Sequence, residues 1–157
     1  MIVVADTSPI NYLVLIEEID VLAKMYGKVV IPPAVRDELL RPSAPAIIRG
    51  WIGQMPSWLE VHAPANAPDA SLAELDPGER DAILLAGELR ADQLIVDDRQ
   101  GRRAAERRGI PVMGTLGVLR EAAGLGLLDL PLAVERLQRT SFYIAPEILA
   151  RLIKEVS

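Results

Sequence analysis

Three acidic side chains stand directly after short apolar runs of the sequence. Asp6 follows the β-branched run at residues 2–5, and Asp97 and Asp98 follow the run at residues 94–96. In open parallel α/β sheets, ligands bind beyond the carboxyl ends of the strands, where these residues would lie. Any one of them alone is better explained as a helix cap or a turn residue. Two strands that end in the same way favour a shared site, because a carboxylate cluster usually persists where a cation offsets its repulsion.

The residue types available limit which metal such a site would bind. The chain has no cysteine and a single histidine, His62, so the ligands would be oxygen atoms. Oxygen ligands suit Mg²⁺ or Mn²⁺ and disfavour zinc. The absence of cysteine also excludes disulfides, which fits a reducing compartment. His62 lies in a proline-rich connection and is expected to be a surface or structural residue.

The elements that would position the carboxylates alternate between short strands and helices. Strands are predicted at residues 2–5, 29–31, 58–62, 94–96 and 111–113, and helices at 12–22, 34–40, 47–52, about twelve residues from 76, 101–108 and most of the remainder to Ser157. Residues 42–69 are predicted to be an irregular connection that contains one short helix and one strand. This alternation predicts a single α/β domain over residues 1–157, a three-layer sandwich with a mostly parallel central sheet.

Charge and hydropathy exclude several classes of protein. The formal net charge of −5 argues against a protein that holds nucleic acid by its overall charge. Five arginines nevertheless fall within residues 99–108, and they are either a solvated helix face or a phosphate-binding patch. The amino terminus has no basic region before its apolar run, and no apolar stretch approaches the roughly 18 residues of a membrane span. We therefore expect a cytoplasmic protein without a membrane segment.

Four segments of the chain match, in order, the motifs of a known family. They are VVADTSPI, VRDELL, GERDAILLA and LIVDDRQGRRAAERRGIPVMGTLGVL. With these segments, which extend across nearly the whole chain, the sequence resembles the PIN domains, and especially a branch close to VapC-type toxins. The resemblance implies a metal-dependent ribonuclease fold in which three or four carboxylates bind one or two Mg²⁺ or Mn²⁺ ions.

The resemblance assigns catalytic and metal-binding roles to the first two acidic positions. Asp6 matches the first acidic residue of the family pattern, and Ser8 matches the small polar residue that accompanies it and would contact substrate. A turn hydroxyl is the alternative for Ser8. Glu38 matches the second acidic residue, and the neighbouring Asp37 is its alternative. A solvated helical residue is the simpler interpretation of Glu38 taken alone.

The third acidic position is open between two residues. The run DAILLA aligns Asp81 with the family motif, whereas Glu79 fits the Gly-Glu form of the closer branch and is also half of a possible capping box with Asp76. The two side chains lie about 200 degrees apart on a helix, so we do not expect both to face one metal. Asp98 matches the fourth acidic position, and Asp97 is a second metal ligand candidate there.

Three further residues are candidates for contact with substrate. Arg99 and Arg102 belong to the uneven arginine cluster and would position phosphates. Thr115 follows the last apolar strand in a GTLG turn and would present its hydroxyl to a phosphate at a helix start. A simple helix cap is the alternative for Thr115.

The function that the resemblance implies is hydrolysis of RNA phosphodiester bonds by the toxin component of a toxin–antitoxin pair. A small cognate antitoxin protein and a homodimer are implied with it. The alternative is a catalytically weak PIN-like module that binds nucleic acid or protein. Because all four acidic positions are filled, the sequence favours an active nuclease.

Other folds that gather acidic residues at strand ends fit less well. A receiver domain needs a lysine near its phosphoacceptor, and Lys24, Lys28 and Lys154 do not follow a late strand. A haloacid-dehalogenase-type phosphatase would need a second Asp where Ser8 stands. Dinucleotide binding is disfavoured because no G-x-G-x-x-G turn follows a strand.

Overall fold

The computed structural model describes residues 1–156, apart from the side chains at 153, 155 and 156. The strands are β1 (Val3–Ala5), β2 (Val29–Ile31), β3 (Leu59–Val61), β4 (Gln93–Ile95) and β5 (Val112–Met113). The helices are α1 (Thr7–Leu15), α2 (Val21–Tyr26), α3 (Pro33–Leu39), α4 (Ala46–Gly53), α5 (Pro77–Leu89), α6 (Arg99–Arg107), α7 (Thr115–Gly124), α8 (Leu130–Gln138) and α9 (Pro146–Val156), and one 3-10 turn spans Ala70–Leu72. The predicted helical region therefore reaches the end of this part of the chain, and Ser157 lies outside the described residues.

The five strands form one sheet in the order β3-β2-β1-β4-β5, and every neighbouring pair is parallel. From β1 the chain first builds the sheet outward through β2 and β3, and then returns to the other side of β1 with β4 and β5. The strand order thus reverses between β1 and β4. In open α/β sheets this reversal opens a crevice at the carboxyl ends of the two strands, which is the usual place for a ligand.

Helices cover both faces of the sheet. Successive side chains of a strand point to opposite faces, and on β1 Val3 and Ala5 belong to one hydrophobic cluster whereas Val4 belongs to the other. The first cluster includes residues of α1, α7 and α8, and the second includes residues of α5 and α6. Because both faces of β1 are fully buried, the three-layer α/β architecture predicted from the sequence is confirmed.

The helix predicted at residues 12–22 is wrong at both ends. α1 begins at Thr7, one residue after β1 ends. Pro9 is compatible with this start because it lies in the first turn of the helix, where a missing N–H costs no hydrogen bond. The helix ends in a left-handed turn at Glu17, whose φ is 63°, and the N–H of Glu18 donates to the carbonyl of Leu13 at 2.9 Å. This is the Schellman pattern of helix termination. The apolar residues beyond it form the separate helix α2.

The connection between residues 42 and 69 contains the helix and the strand predicted for it. The strand, β3, is an edge strand of the sheet and pairs with β2. The N–H of Val29 donates to the carbonyl of Trp58 at 2.9 Å and continues this pairing beyond the strand. Among the described residues, no helix has the length and apolar character needed to cross a bilayer.

Candidate metal centre

Six carboxylates come together where β1 and β4 end. The N–H of Asp6 donates to the carbonyl of Ile95 at 2.9 Å, which joins the two strand ends. Asp97 and Asp98 follow β4, while the remaining carboxylates come from α3 and from the start of α5. The six are Asp6, Glu38, Asp76, Glu79, Asp97 and Asp98, and the pKa shifts of Asp6 and Glu79 reflect the negative charges of the others. We call this set the carboxylate cluster.

Asp6 lies at the centre of the cluster and is nearly buried. It is 5% exposed, and its Oδ1 has no hydrogen-bond partner among the described residues. Burial raises the pKa of Asp6 to about 7; the backbone hydrogen bond from Thr7 opposes this shift, and the negative charges of Asp76, Glu38 and Asp97 add to it. A buried carboxylate oxygen without a partner is costly. A bound proton or a cation would therefore stabilise the Asp6 carboxylate.

Glu79 is also a buried carboxylate that a proton or a cation would stabilise. It is 8% exposed, and its Oε1 also has no partner among the described residues. Burial raises the pKa of Glu79 well above its ordinary value, as do a hydrogen bond to Asp76 and the negative charges of Asp76, Asp6 and Asp98. A Cβ at Gly101 would lie 2.5 Å from this Oε1, so a larger residue there would displace the Glu79 carboxylate.

Asp76 is a member of the cluster that sequence reasoning treated only as a helix cap. It does cap α5, since its Oδ1 accepts the N–H of Glu79 at 2.9 Å. Its charge also raises the pKa values of both Asp6 and Glu79. The capping motif already placed Asp76 on the same helical turn as Glu79, and this spacing was the signal that could have identified Asp76 as a sixth acidic residue of the site.

Glu38 is held in the cluster by two hydrogen bonds. The hydroxyl of Thr7 donates to its Oε1 at 2.6 Å, and the N–H of Gly78 donates to its Oε2 at 2.7 Å. A Cβ at Gly78 would lie 2.5 Å from both carboxylate oxygens, so a larger residue there would displace the Glu38 carboxylate from this position. The neighbouring Asp37 is exposed and pairs with Arg36 at 3.3 Å. The structure thus brings Glu38, and not Asp37, to the cluster.

The Asp97 carboxylate bonds to Thr115. Its Oδ1 accepts the Thr115 N–H at 2.7 Å, and its Oδ2 accepts the Thr115 hydroxyl at 2.6 Å. Burial raises the pKa of Asp97, whereas Thr115 and the charge of Arg102 lower it. Thr115 is fully buried, and therefore this geometry does not support its predicted contact with a phosphate. The pair instead ties the end of β4 to the start of α7.

Like Asp76, Asp98 is an exposed member of the cluster. It caps α6, and its Oδ2 accepts the N–H groups of Gln100 at 3.1 Å and Gly101 at 3.3 Å. Its charge contributes to the raised pKa of Glu79. Asp98 therefore both starts α6 and places a carboxylate beside the buried acids.

The structure separates the two candidates for the third acidic position. Glu79 turns into the cluster, whereas the carboxylate of Asp81 accepts from the Nε of Arg80 at 3.0 Å. Asp81 is not among the charges that act on Asp6 or Glu79. This difference follows from the helical phase, because the two residues lie on different faces of α5. Which of them acts as a ligand stays a prediction.

The predicted substrate residues lie beside the cluster. Ser8 is exposed and lines a cavity of about 760 Å³ together with Asp97, Asp98 and Arg102. Arg99 and Arg102 line a second cavity of about 520 Å³ that also borders Asp97. Both cavities therefore join arginine side chains to the edge of the acidic cluster.

The donor chemistry of the cluster fits a hard divalent cation. All of its side-chain donors are carboxylate oxygens, which Mg²⁺ and Mn²⁺ prefer, and the unpartnered oxygens of Asp6 and Glu79 are both buried. Within residues 1–156, no three acidic or histidine side chains are already arranged to share one ion. The carboxylates of the cluster fit such an ion because their oxygens are suitable ligands and two of these oxygens lack hydrogen-bond partners in this part of the chain. The side chains would have to move for three of them to bind the same ion.

Comparisons with known proteins agree with this fold. Residues 2–157 match a family model described as DUF3368, a PIN domain. A solved structure of a PilT N-terminus domain protein from the hyperthermophilic archaeon Sulfolobus solfataricus P2 is similar in fold, with a TM-score of 0.54, 18% identity, and coverage of 92% of this chain and 100% of that chain. No curated protein matches the sequence. Because the family model spans almost the whole sequence, the chain belongs to the PIN-domain family.

Proposed function

We propose that this protein is a metal-dependent endoribonuclease that hydrolyses RNA phosphodiester bonds with Mg²⁺ or Mn²⁺. In this proposal Asp6, Glu38, Glu79 and Asp98 hold the ion, with Asp97 beside them. The observation that carries the proposal is the pair of buried, unpartnered oxygens of Asp6 and Glu79 at the point where the strand order reverses. A cation between these oxygens would satisfy both, and it would offset the burial and the repulsion that raise the pKa values of both groups.

The chain contributes position and charge to this reaction. Glu38 is fixed by Thr7 and Gly78, so its carboxylate does not need to be ordered when the ion binds. The arginines that line the adjacent cavities would hold the phosphates of the substrate. When bound, the metal would lower the pKa of a water molecule and offset charge on the phosphate.

The biological setting is part of the same proposal. We place the protein in the cytoplasm as the toxin component of a toxin–antitoxin pair, with a cognate antitoxin protein that covers the carboxylate cluster, and as a homodimer. The motifs that resemble VapC-type toxins support this setting. Inhibition of cleavage by a co-purified small protein would test it.

The first prediction concerns Asp6→Asn. This change removes the central carboxylate and one like charge, so Mg²⁺-dependent and Mn²⁺-dependent cleavage of RNA should be abolished while the thermal unfolding midpoint stays nearly unchanged or rises. Gel assays of RNA cleavage and calorimetry of the ion-free protein would measure both. The matched control is Asp37→Asn, an exposed carboxylate one residue from Glu38, which should cleave normally. Cleavage by Asp6→Asn at the wild-type rate would contradict the proposal.

The second prediction is a pH-dependent difference in stability between Asp6→Asn and the wild type. The pKa of Asp6 is raised from 3.8 to about 7 in the folded protein, so the stability linked to its proton is present below about pH 4 and lost as the pH rises through about 7. Asparagine resembles the protonated acid, and therefore the stability of the variant relative to the wild type should rise between about pH 4 and about pH 7 and stay constant above that range. Urea unfolding in EDTA would measure this. A difference that does not change with pH would refute the assignment.

The third prediction separates Glu79 from Asp81. Glu79→Gln should lower metal-dependent cleavage by more than the roughly 10–100-fold that loss of a supporting partner costs, whereas Asp81→Asn should keep most of the activity. Glutamine can still serve the capping box, so the stability of Glu79→Gln should remain close to that of the wild type. Single-turnover cleavage rates and unfolding midpoints would be compared. Full activity in both variants would show that α5 supplies no ligand.

A further inference from the structure

A groove lined by arginines and one exposed tyrosine adjoins the carboxylate cluster. The cavity of about 760 Å³ is bordered by Asp97 and Asp98 and also by Arg102, Arg120, Arg151 and Tyr143. This volume falls within the range of about 300–1,000 Å³ that protein sites for small molecules occupy. The cavity therefore has room for a group of nucleotide size beside the acidic residues.

Tyr143 stands between this groove and the second cavity. The second cavity, of about 520 Å³, also contains Tyr143 and Arg102 in its lining and adds Arg99 and Arg103. Tyr143 therefore lines both cavities, together with arginines of α6 and, in the groove, with Arg120 and Arg151.

Tyr143 differs from the other aromatic residues of the chain in its exposure. It is 79% exposed, whereas the remaining five pack against the hydrophobic core: Tyr12, Tyr26, Trp51, Trp58 and Phe142. Because most of its surface is exposed, the Tyr143 ring is accessible to a ligand. The fold therefore does not account for an aromatic side chain at this position.

The backbone before Tyr143 is anchored. The Phe142 ring meets Tyr12 edge to face with centroids 5.0 Å apart, and the Phe142 N–H donates to the Thr140 hydroxyl at 3.1 Å. The Tyr12 hydroxyl also lies 2.9 Å from the hydroxyl of Ser141. Because these contacts fix the preceding residues, less conformational freedom is lost when a ligand orders Tyr143.

We propose that Tyr143 stacks on a base of single-stranded RNA whose phosphates contact the flanking arginines. This inference rests on the proposed function, because it takes RNA as the ligand of the adjacent site. Cationic grooves with an aromatic platform bind single strands, since every base offers a face for stacking. In duplex RNA the bases are already stacked, so a lone tyrosine cannot use them in this way. Tyr143 would thereby bias the site toward unpaired segments.

The test is a binding experiment with the whole protein in EDTA, where metal-dependent cleavage cannot proceed. A fluorescent oligoadenylate and a duplex of the same length serve as probes for the wild type and for Tyr143→Ala, Tyr143→Trp and Leu125→Ala. Leu125 is a matched control because it is 62% exposed and lines neither cavity. Tyr143→Ala should weaken single-strand binding by roughly 10-fold or more, and Tyr143→Trp should preserve it. Leu125→Ala should bind as the wild type does.

Two results would overturn the inference. One is unchanged single-strand affinity of Tyr143→Ala, which is also the result expected if Tyr143 contacts only a protein partner. The other is an equal loss of affinity for an oligomer of abasic ribose phosphates, which would assign the effect to the backbone and not to stacking. Failure of the proposed function is seen separately, as RNA that binds normally but is not cleaved when Mn²⁺ is added.

Discussion

Repulsion among carboxylates crowded at one edge of the sheet is the constraint that shapes this region of the molecule. Asp6 and Asp97 are held there by strands that pair in register, with Ala5 opposite Ile95, so their backbones cannot move apart without breaking the centre of the sheet. Burial then deprives the acids of the water that would screen them. A stable arrangement of these carboxylates must include hydrogen-bond donors, bound protons or a cation. The helices around the cluster supply some of the hydrogen-bond donors.

Helix starts and close backbone approaches supply part of that requirement. Asp6, Asp76 and Asp98 are the cap residues of α1, α5 and α6, and each helix amino terminus favours a negative charge by about 0.3–1 kcal/mol. Gly78 and Gly101 let two of these helices reach the carboxylates of Glu38 and Glu79. Despite these contributions, Asp6 Oδ1 and Glu79 Oε1 have no hydrogen-bond partners among the residues that the structure describes. A divalent cation would supply both the positive charge and the bonds that these two oxygens lack.

The sequence predicts the architecture well because it depends on local patterns. β-branched runs that end in acids identify the strands and their edge, and a cap followed by proline and glutamate identifies α5. The helix at residues 12–22 was misplaced because the start of α1 and its left-handed end at Glu17 depend on turn geometry that periodicity does not reveal. Long-range contacts were equally inaccessible: the bonds from Thr115 to Asp97 join residues 18 positions apart, and the choice between Glu79 and Asp81 depends on how α5 is rotated against the sheet. The surroundings of Tyr143 were also not predictable from the sequence, because they come from α6, α7 and α9 and are brought together only by the fold.

The central claim is that the unpartnered oxygens of Asp6 and Glu79 converge on a divalent cation. The most direct test is anomalous diffraction at the manganese edge from crystals equilibrated with Mn²⁺. The claim predicts a peak within coordination distance of Asp6 Oδ1 and Glu79 Oε1, with Glu38 or Asp98 completing the ligands. A peak bound only elsewhere on the protein, or no peak at saturating Mn²⁺, would contradict it.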